Sequence, residues 1–235
     1  MNKGKFTVLL LLLLFDLILI VSISIFSDNP KEYFKEFNLF TWISFIKLLI
    51  ISYLSWNIYT ERKPPGGNFS FNNDHSIWFI VACGFIFLAF DELLSIHENV
   101  DKAIHKVLDM PETGLTDRID DAIILIYATL GIAVLYSYKN ELIKFAKSIP
   151  YLAVGFLFLF LRISIDFITN RDDVIPKIIS DEILVSKLAI VLPVIEGGSK
   201  LLAETFFIFV FYSCFMQVKS SKAGAQEQSI RTTGK

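Results

Sequence analysis

Apolar residues in this chain fall in blocks about as long as the helix that crosses a hydrocarbon core, roughly 20 residues for a thickness of about 30 Å. Six such blocks read as spans, at about 6–27, 39–59, 76–96, 119–138, 150–169 and 197–217. Two further segments are apolar without being span-like. Residues 97–109 keep helical spacing, with Val100, Ala103, Ile104, Val107 and Leu108 recurring on one side, so the third span must either project from the bilayer or bend to lie on its surface. Residues 183–195 form a short apolar run interrupted by Pro193, which suits an interfacial or re-entrant helix. The fold class predicted is all-α: a polytopic membrane helix bundle of about six transmembrane helices plus one or two interfacial helices. Residues 1–218 make its single transmembrane domain. The segment 219–235 is rich in Ser, Lys, Gly, Gln and Thr and lacks apolar periodicity, so it is expected to be a disordered tail.

Loop chemistry agrees with these boundaries. Pro64-Pro65-Gly66-Gly67 with Asn68, Asn72 and Asn73 marks a loop, and Pro150 opens the fifth span where a helix start tolerates it. Trp42, Trp56 and Trp78 fall near span ends, as interfacial aromatic belts require, and Tyr136, Tyr138 and Tyr151 do the same. A content of 54% hydrophobic residues with only 20% charge leaves little material for a soluble core in 235 residues. The net charge of −2 hides a sidedness. Lys3, Lys5, Arg62, Lys63, Lys139, Lys144, Lys147, Lys219, Lys222, Arg231 and Lys235 lie in alternate segments with few acids, and the remaining loops dilute their cations with carboxylates. Since cytoplasmic loops favour Lys and Arg, both termini are expected in the cytoplasm of a cell-membrane protein. The first span starts like a signal peptide, but its apolar run is too long and no small-x-small cleavage site follows, so an uncleaved anchor is expected. Cys83 and Cys214 both fall inside spans and read as apolar fillers. No phosphate-cradling loop, nucleophile elbow or basic nucleic-acid stripe is present.

Ionisable groups at membrane depth are costly, which makes each one a functional candidate. Asp91 and Glu92 end the third apolar run, and His97-Glu98 follow. On an unbroken helix Asp91, Glu98, Asp101 and His105 share a stripe within about 80°, with His97 beside it and Glu92 pointing away. Such a stripe offers ligands for a divalent metal, with Glu196 or Glu204 completing a shell. Closely spaced carboxylates can instead form a proton site. A solvated helix face explains Asp101 and His105 equally well. In the fifth span Arg162 and Asp166 are four apart and can pair internally, or Arg162 can neutralise Asp91 or Glu204 across the bundle. Glu196, Lys200 and Glu204 lead into the last span, where Gly197-Gly198 permit a close approach. Asp16 and Lys47 sit near the middle of the first two spans and are expected to pair with each other. Asp91, Glu98, Arg162, Asp166, Glu196 and Glu204 all fall at a similar depth, near the outer leaflet on this topology, which points to one shared site. Snorkelling of acids near span ends gives the same clustering without a site.

The run Asp91-Glu92-x4-His97-Glu98, with Glu196 and Glu204 in the last span, resembles a group of uncharacterised bacterial multi-pass membrane proteins that carry an Asp-Glu-x4-His-Glu signature and a Glu-rich last helix. The resemblance covers about twenty residues of the third span and ten of the last, and it implies a membrane family without a mechanism. Glu196 through Lys200 also resembles the Glu-Glu-x-x-Lys motif of PrsW-type intramembrane proteases, but lacks the second Glu and has the motif order reversed. Three readings follow. One is a metal-dependent intramembrane enzyme acting on a lipid or other membrane substrate, with Asp91, Glu98, Glu204 and Arg162 as catalytic groups and Asp91, His97, Glu98, Asp101, His105, Glu196 and Glu204 supplying metal ligands. The second is a small proton- or cation-coupled transporter. The third is a non-catalytic membrane subunit that docks a partner protein. The partners expected are the bilayer, a lipid substrate or a membrane protein, and no nucleic acid.

Overall fold

A computed structural model describes residues 3–27, 30–33, 38–64, 66–109, 119–169 and 181–233, and what is described is helical, without strands. In chain order the helices are α1 (Lys3–Phe26), α2 (Pro30–Tyr33), α3 (Leu39–Arg62), α4 (Ser76–Leu94), α5 (Ile96–Leu108), α6 (Ile119–Ser137), α7 (Lys139–Ile143), α8 (Ile149–Thr169) and α9 (Glu182–Thr233). A 3-10 turn at Ala146–Ser148 leads into α8. A backbone in lipid must close its own hydrogen bonds, which is why apolar runs of this length become helices. Five stretches are long and apolar enough to cross a membrane, namely Gly4–Phe26, Leu39–Arg62, Ser76–Leu94, Ala146–Thr169 and Glu182–Gln226. The sixth expected span is α6, whose apolar part is the shorter Ala122–Ser137.

Side-chain contacts fix the sense of each helix. Along α4 and α3, Phe45 meets Phe90, Ser52 bonds the Ala82 carbonyl and Trp56 meets Phe79, so the two run antiparallel. α8 lies antiparallel to α9 through Tyr151–Phe209 and Phe156–Phe207. α1 is antiparallel to α9 as well, with Lys5 at the Ser213 carbonyl and Ile20 against Gly198. α3 is parallel to α9, since Ser44 bonds Glu204 and Lys222 bonds Glu61. The start of α1 and the far part of α9 therefore lie at the same end of the bundle.

α9 is the axis. Two thirds (67%) of its most apolar window is buried, against 11% for α1 and for α8. Leu201, Ala203, Phe207, Ile208, Phe209, Val210, Phe211 and Cys214 form its buried wall. The α8 crossing is close at Gly155, where a Cβ would stand 2.6 Å from the Phe207 ring, so only glycine fits without displacing that ring.

Three expectations change. Residues 183–195 are not a separate interfacial helix: Pro193 lies inside the continuous α9. Proline removes one donor and crowds the carbonyl four residues back, and a membrane helix tolerates that loss where neighbours supply other partners. The segment from 219, expected to be disordered, continues as helix to Thr233, with residues 219–226 exposed. Trp78 is not an interfacial belt residue; it is 3% exposed and packs edge-on against Phe145 and Phe211, whereas Trp42 and Trp56 are exposed as expected.

Candidate functional site

The helix that carries the acidic signature does not continue unbroken. Ser95 adopts the left-handed conformation (φ 48°, ψ 49°), ends α4 and starts α5. A non-glycine residue there costs about 1–2 kcal/mol, and local hydrogen bonds offset it. Asn99 Nδ2 donates to the Leu94 carbonyl at 2.8 Å. Ser95 makes no side-chain cap bond, and Asp91, one turn back, supplies it instead. Its Oδ1 accepts the His97 backbone N–H at 3.0 Å, and its Oδ2 lies 2.9 Å from His97 Nδ1. A carboxylate suits the start of a helix because the first N–H groups have no intrahelical acceptor. The hydrogen bond that His97 donates to Asp91 raises the His97 pKa above its ordinary value; partial burial opposes this, and the charges of Asp91 and Glu98 add to it. The bond to Nδ1 leaves Nε2 as the ring atom available to a ligand.

His97 lines a cavity of about 540 Å³ shared with Phe40, Thr41, Glu92, Glu98, Asp120, Arg162, Asp166, Glu196 and Lys200. These come from the start of α3, the α4–α5 corner, the start of α6, the end of α8 and the first third of α9. Glu92 is bonded by Lys200, so that pair is internally neutral. Glu98 has Lys102 at 3.4 Å, an exposed and weak pairing. Arg162 lies in the field of Glu92, Asp166, Glu196 and Glu204. Its Nε is sealed from solvent and has no hydrogen-bond partner among the described residues. A buried donor left unmatched costs about 1–3 kcal/mol. Glu196 and Asp166 are electrostatic neighbours, and Thr169 Oγ1 reaches Glu196 at 3.4 Å.

A second polar layer lies one helical turn deeper, about 6 Å along α9. Lys47 Nζ contacts both oxygens of Asp16 at 2.6 and 2.8 Å, the Leu201 carbonyl at 2.9 Å and Thr205 Oγ1 at 3.0 Å. Thr205 in turn donates to Asp16 at 2.6 Å. Ser44 donates to Glu204 Oε1, and Glu204 Oε2 is buried without a partner among the described residues. Leu201 belongs to both layers, lining the cavity and giving its carbonyl to Lys47. Below them, Phe207, Ile208, Val210 and Phe211 are buried and apolar.

At the opposite end of the bundle, Glu141 on α7 is fully buried (0% exposed). Arg62 grips it with two bonds, Nε at 2.8 Å and Nη2 at 2.7 Å, and Lys144 at 2.7 Å and Trp78 Nε1 at 3.1 Å complete its shell. Burial pushes the Glu141 pKa up, but the hydrogen bonds from Arg62, Lys144 and Trp78 outweigh it and hold the group below the ordinary carboxylate value. In the sequence Glu141 is one acid in a basic loop, with nothing beside it that marks its burial.

The seven residues expected as metal ligands do not meet as one set: His97, Glu98 and Glu196 line the cavity, and Glu204 lies deeper. Among the described residues no group of three or more His, Cys, Asp or Glu side chains is disposed to hold a metal ion. The break at Ser95 takes Asp91 off the stripe of Glu98, Asp101 and His105. Asp91 is committed to His97, while His105 Nδ1 bonds the Asp101 backbone carbonyl at 3.1 Å with the Asp101 carboxylate beside it at 3.0 Å. Glu204 sits in the deeper layer. What the structure brings together is Glu98, His97, Arg162, Asp166 and Glu196, together with Glu92, which the unbroken stripe had turned away. The signal for Glu92 is Lys200, a cation in the last span that needs an acid at its own depth.

A model of a domain of unknown function (DUF8692) matches residues 6–215, and the chain belongs to that family. No curated protein and no solved structure matches the chain.

Proposed function

We propose that this DUF8692 member is an integral membrane protein whose charged cavity binds a small cationic group from one side of the bilayer. The observation that carries this reading is the charge balance. Among the described residues, with the Glu92–Lys200 pair set aside, Arg162 is the fixed cation in the field of both Asp166 and Glu196. Carboxylates held together away from bulk water need a counter-charge or a proton, and a primary ammonium supplies three donors for them. The buried apolar wall from Phe207 to Phe211 closes the polar layers from the other end, which favours a one-sided site over a continuous pathway. The test is calorimetric titration of the purified protein with ethanolamine. Saturable binding that Glu196→Gln weakens at least tenfold is expected; no binding, or binding that ignores Glu196→Gln, sinks the proposal.

A second reading rests on the Asp91–His97 pair. A histidine oriented by a buried carboxylate at a cavity wall is arranged for proton transfer to a bound group, which is the enzyme reading without a metal. It differs from simple binding in one respect: His97→Gln would abolish turnover of the ligand while leaving its affinity within about twofold.

The bias of Lys and Arg supports cytoplasmic termini, an orientation in which the cavity opens outward. Asn68→Cys should react with a membrane-impermeant maleimide only after cells are lysed, and Gly114→Cys in intact cells. The reverse pattern inverts the orientation and leaves the cavity chemistry untouched.

A further inference from the structure

We infer that the ligand of this cavity is a zwitterion, carrying an oxyanion as well as an ammonium group, and that Arg162 receives the oxyanion. The inference rests on the cation-binding reading above and adds the second charge.

Arg162 is the departure from a simple amine site. Against the surplus of acid, a cavity meant for a cation alone gains nothing from a guanidinium on its wall, because that charge repels the ligand. A purely structural arginine is expected to use its donors on the carboxylates around it. Here the guanidinium lies in the field of Glu92, Asp166, Glu196 and Glu204, yet its Nε, shielded from solvent, meets no acceptor among the described residues. Guanidinium N–H groups lie in a fixed plane and match the paired oxygens of a phosphate or carboxylate. Lys200, also on the wall, is held by Glu92, whereas Arg162 keeps an unmatched donor among the described residues.

The two recognition elements are close in the chain and in space. Arg162 and Asp166 are one turn apart on α8, and Glu196 faces them from α9 beside Thr169. A ligand whose ammonium and oxyanion are separated by a few bonds would place one charge on Asp166 and Glu196 and the other on Arg162. The cavity volume of about 540 Å³ lies in the range of ordinary ligand pockets, roughly 300–1,000 Å³, and exceeds what a bare cation fills. Two sources present this chemistry, the headgroup of an aminophospholipid and a free aminophosphate in solution.

The probe is glycerophosphoethanolamine, which carries a phosphodiester and an ammonium, titrated into the full chain in nanodiscs of phosphatidylglycerol. The comparison ligands are ethanolamine, with the cation alone, and glycerophosphoglycerol, with the anion alone. The zwitterion should bind at least tenfold more tightly than either. Arg162→Gln should remove that advantage and tighten ethanolamine binding, since the charge that opposes a bare cation is gone. If Arg162→Gln fails to fold, Arg162→Lys serves, since it keeps the charge, loses the planar donor pair and should lose most of the advantage. Equal affinity for ethanolamine and the zwitterion overturns the inference while the cation site stands. Failure of all three ligands to bind removes both. Repeating the titration in phosphatidylethanolamine nanodiscs separates the sources: weaker apparent binding there assigns the site to a membrane headgroup, and unchanged binding assigns it to a soluble ligand.

Discussion

Lys47→Met is expected to destabilise the bundle by about 3–5 kcal/mol, the usual consequence of removing one partner from a buried ion pair. Asp16 is fully buried, and Lys47 gives it two contacts while also bonding Leu201 and Thr205. Without the ammonium, Asp16 keeps Thr205 as its partner among the described residues and must either hold an uncompensated charge in a low dielectric or take up a proton. Replacing both partners removes the problem at its source. In Asp16→Leu/Lys47→Met no charge is left buried, and Thr205 can turn its hydroxyl to the Leu201 carbonyl four residues back. The double variant should therefore be more stable than Lys47→Met alone. Reversible unfolding in mixed micelles measures both. A single variant within about 0.5 kcal/mol of the parent, or a double variant less stable than the single, would show that the pair does not hold the helices.

Glu141→Gln should cost about 3 kcal/mol, less than the Lys47 change because Arg62 and Lys144 are partly exposed and can turn to water. The amide keeps one acceptor oxygen but presents an NH2 group where Arg62 or Lys144 also donates. The loss should depend on pH in a definite direction. Glu141 has a depressed pKa in the folded protein, so its stabilisation is present above the ordinary carboxylate value of 4.5 and is lost as pH falls through the depressed value. The gap in stability between parent and variant should be full at pH 7 and shrink below pH 4.5. A gap that stays constant from pH 7 to pH 3 would assign the loss to shape and not to charge.

Much of the architecture was legible because membrane depth is written in hydropathy. The apolar blocks fall where the long helices lie, and Asp16 and Lys47, alone in their spans at similar depth, had no other partner to find. What escaped was set by contacts that spacing does not encode. Ser95 looks like any other residue of an apolar helix, and only the capping by Asp91 and Asn99 explains why the chain breaks there. That break dissolves the stripe on which the metal reading depended. Trp78 has the span-end position of a belt residue, and nothing local announces that an acid from a loop sixty residues later will bond its indole. Glu141 escaped for the same reason, since its three donors come from α3, α4 and its own loop. Pro193 reads as a boundary by propensity, and tertiary packing in α9 overrides it.

The burial of Asp16 bears on how α1 finds its place. A helix greasy on every side has no favoured rotation against its neighbours and can slide along them at little cost, because each slip exchanges one methyl group for another. A single carboxylate that must reach Lys47 and Thr205 fixes both the angle and the height of the rod, as a key fixes a shaft. Ile20 then meets Gly198, and Lys5 meets the carbonyl of Ser213, in one consistent alignment. A helix with little of its own surface buried is thus aligned by one of the most buried side chains in the bundle.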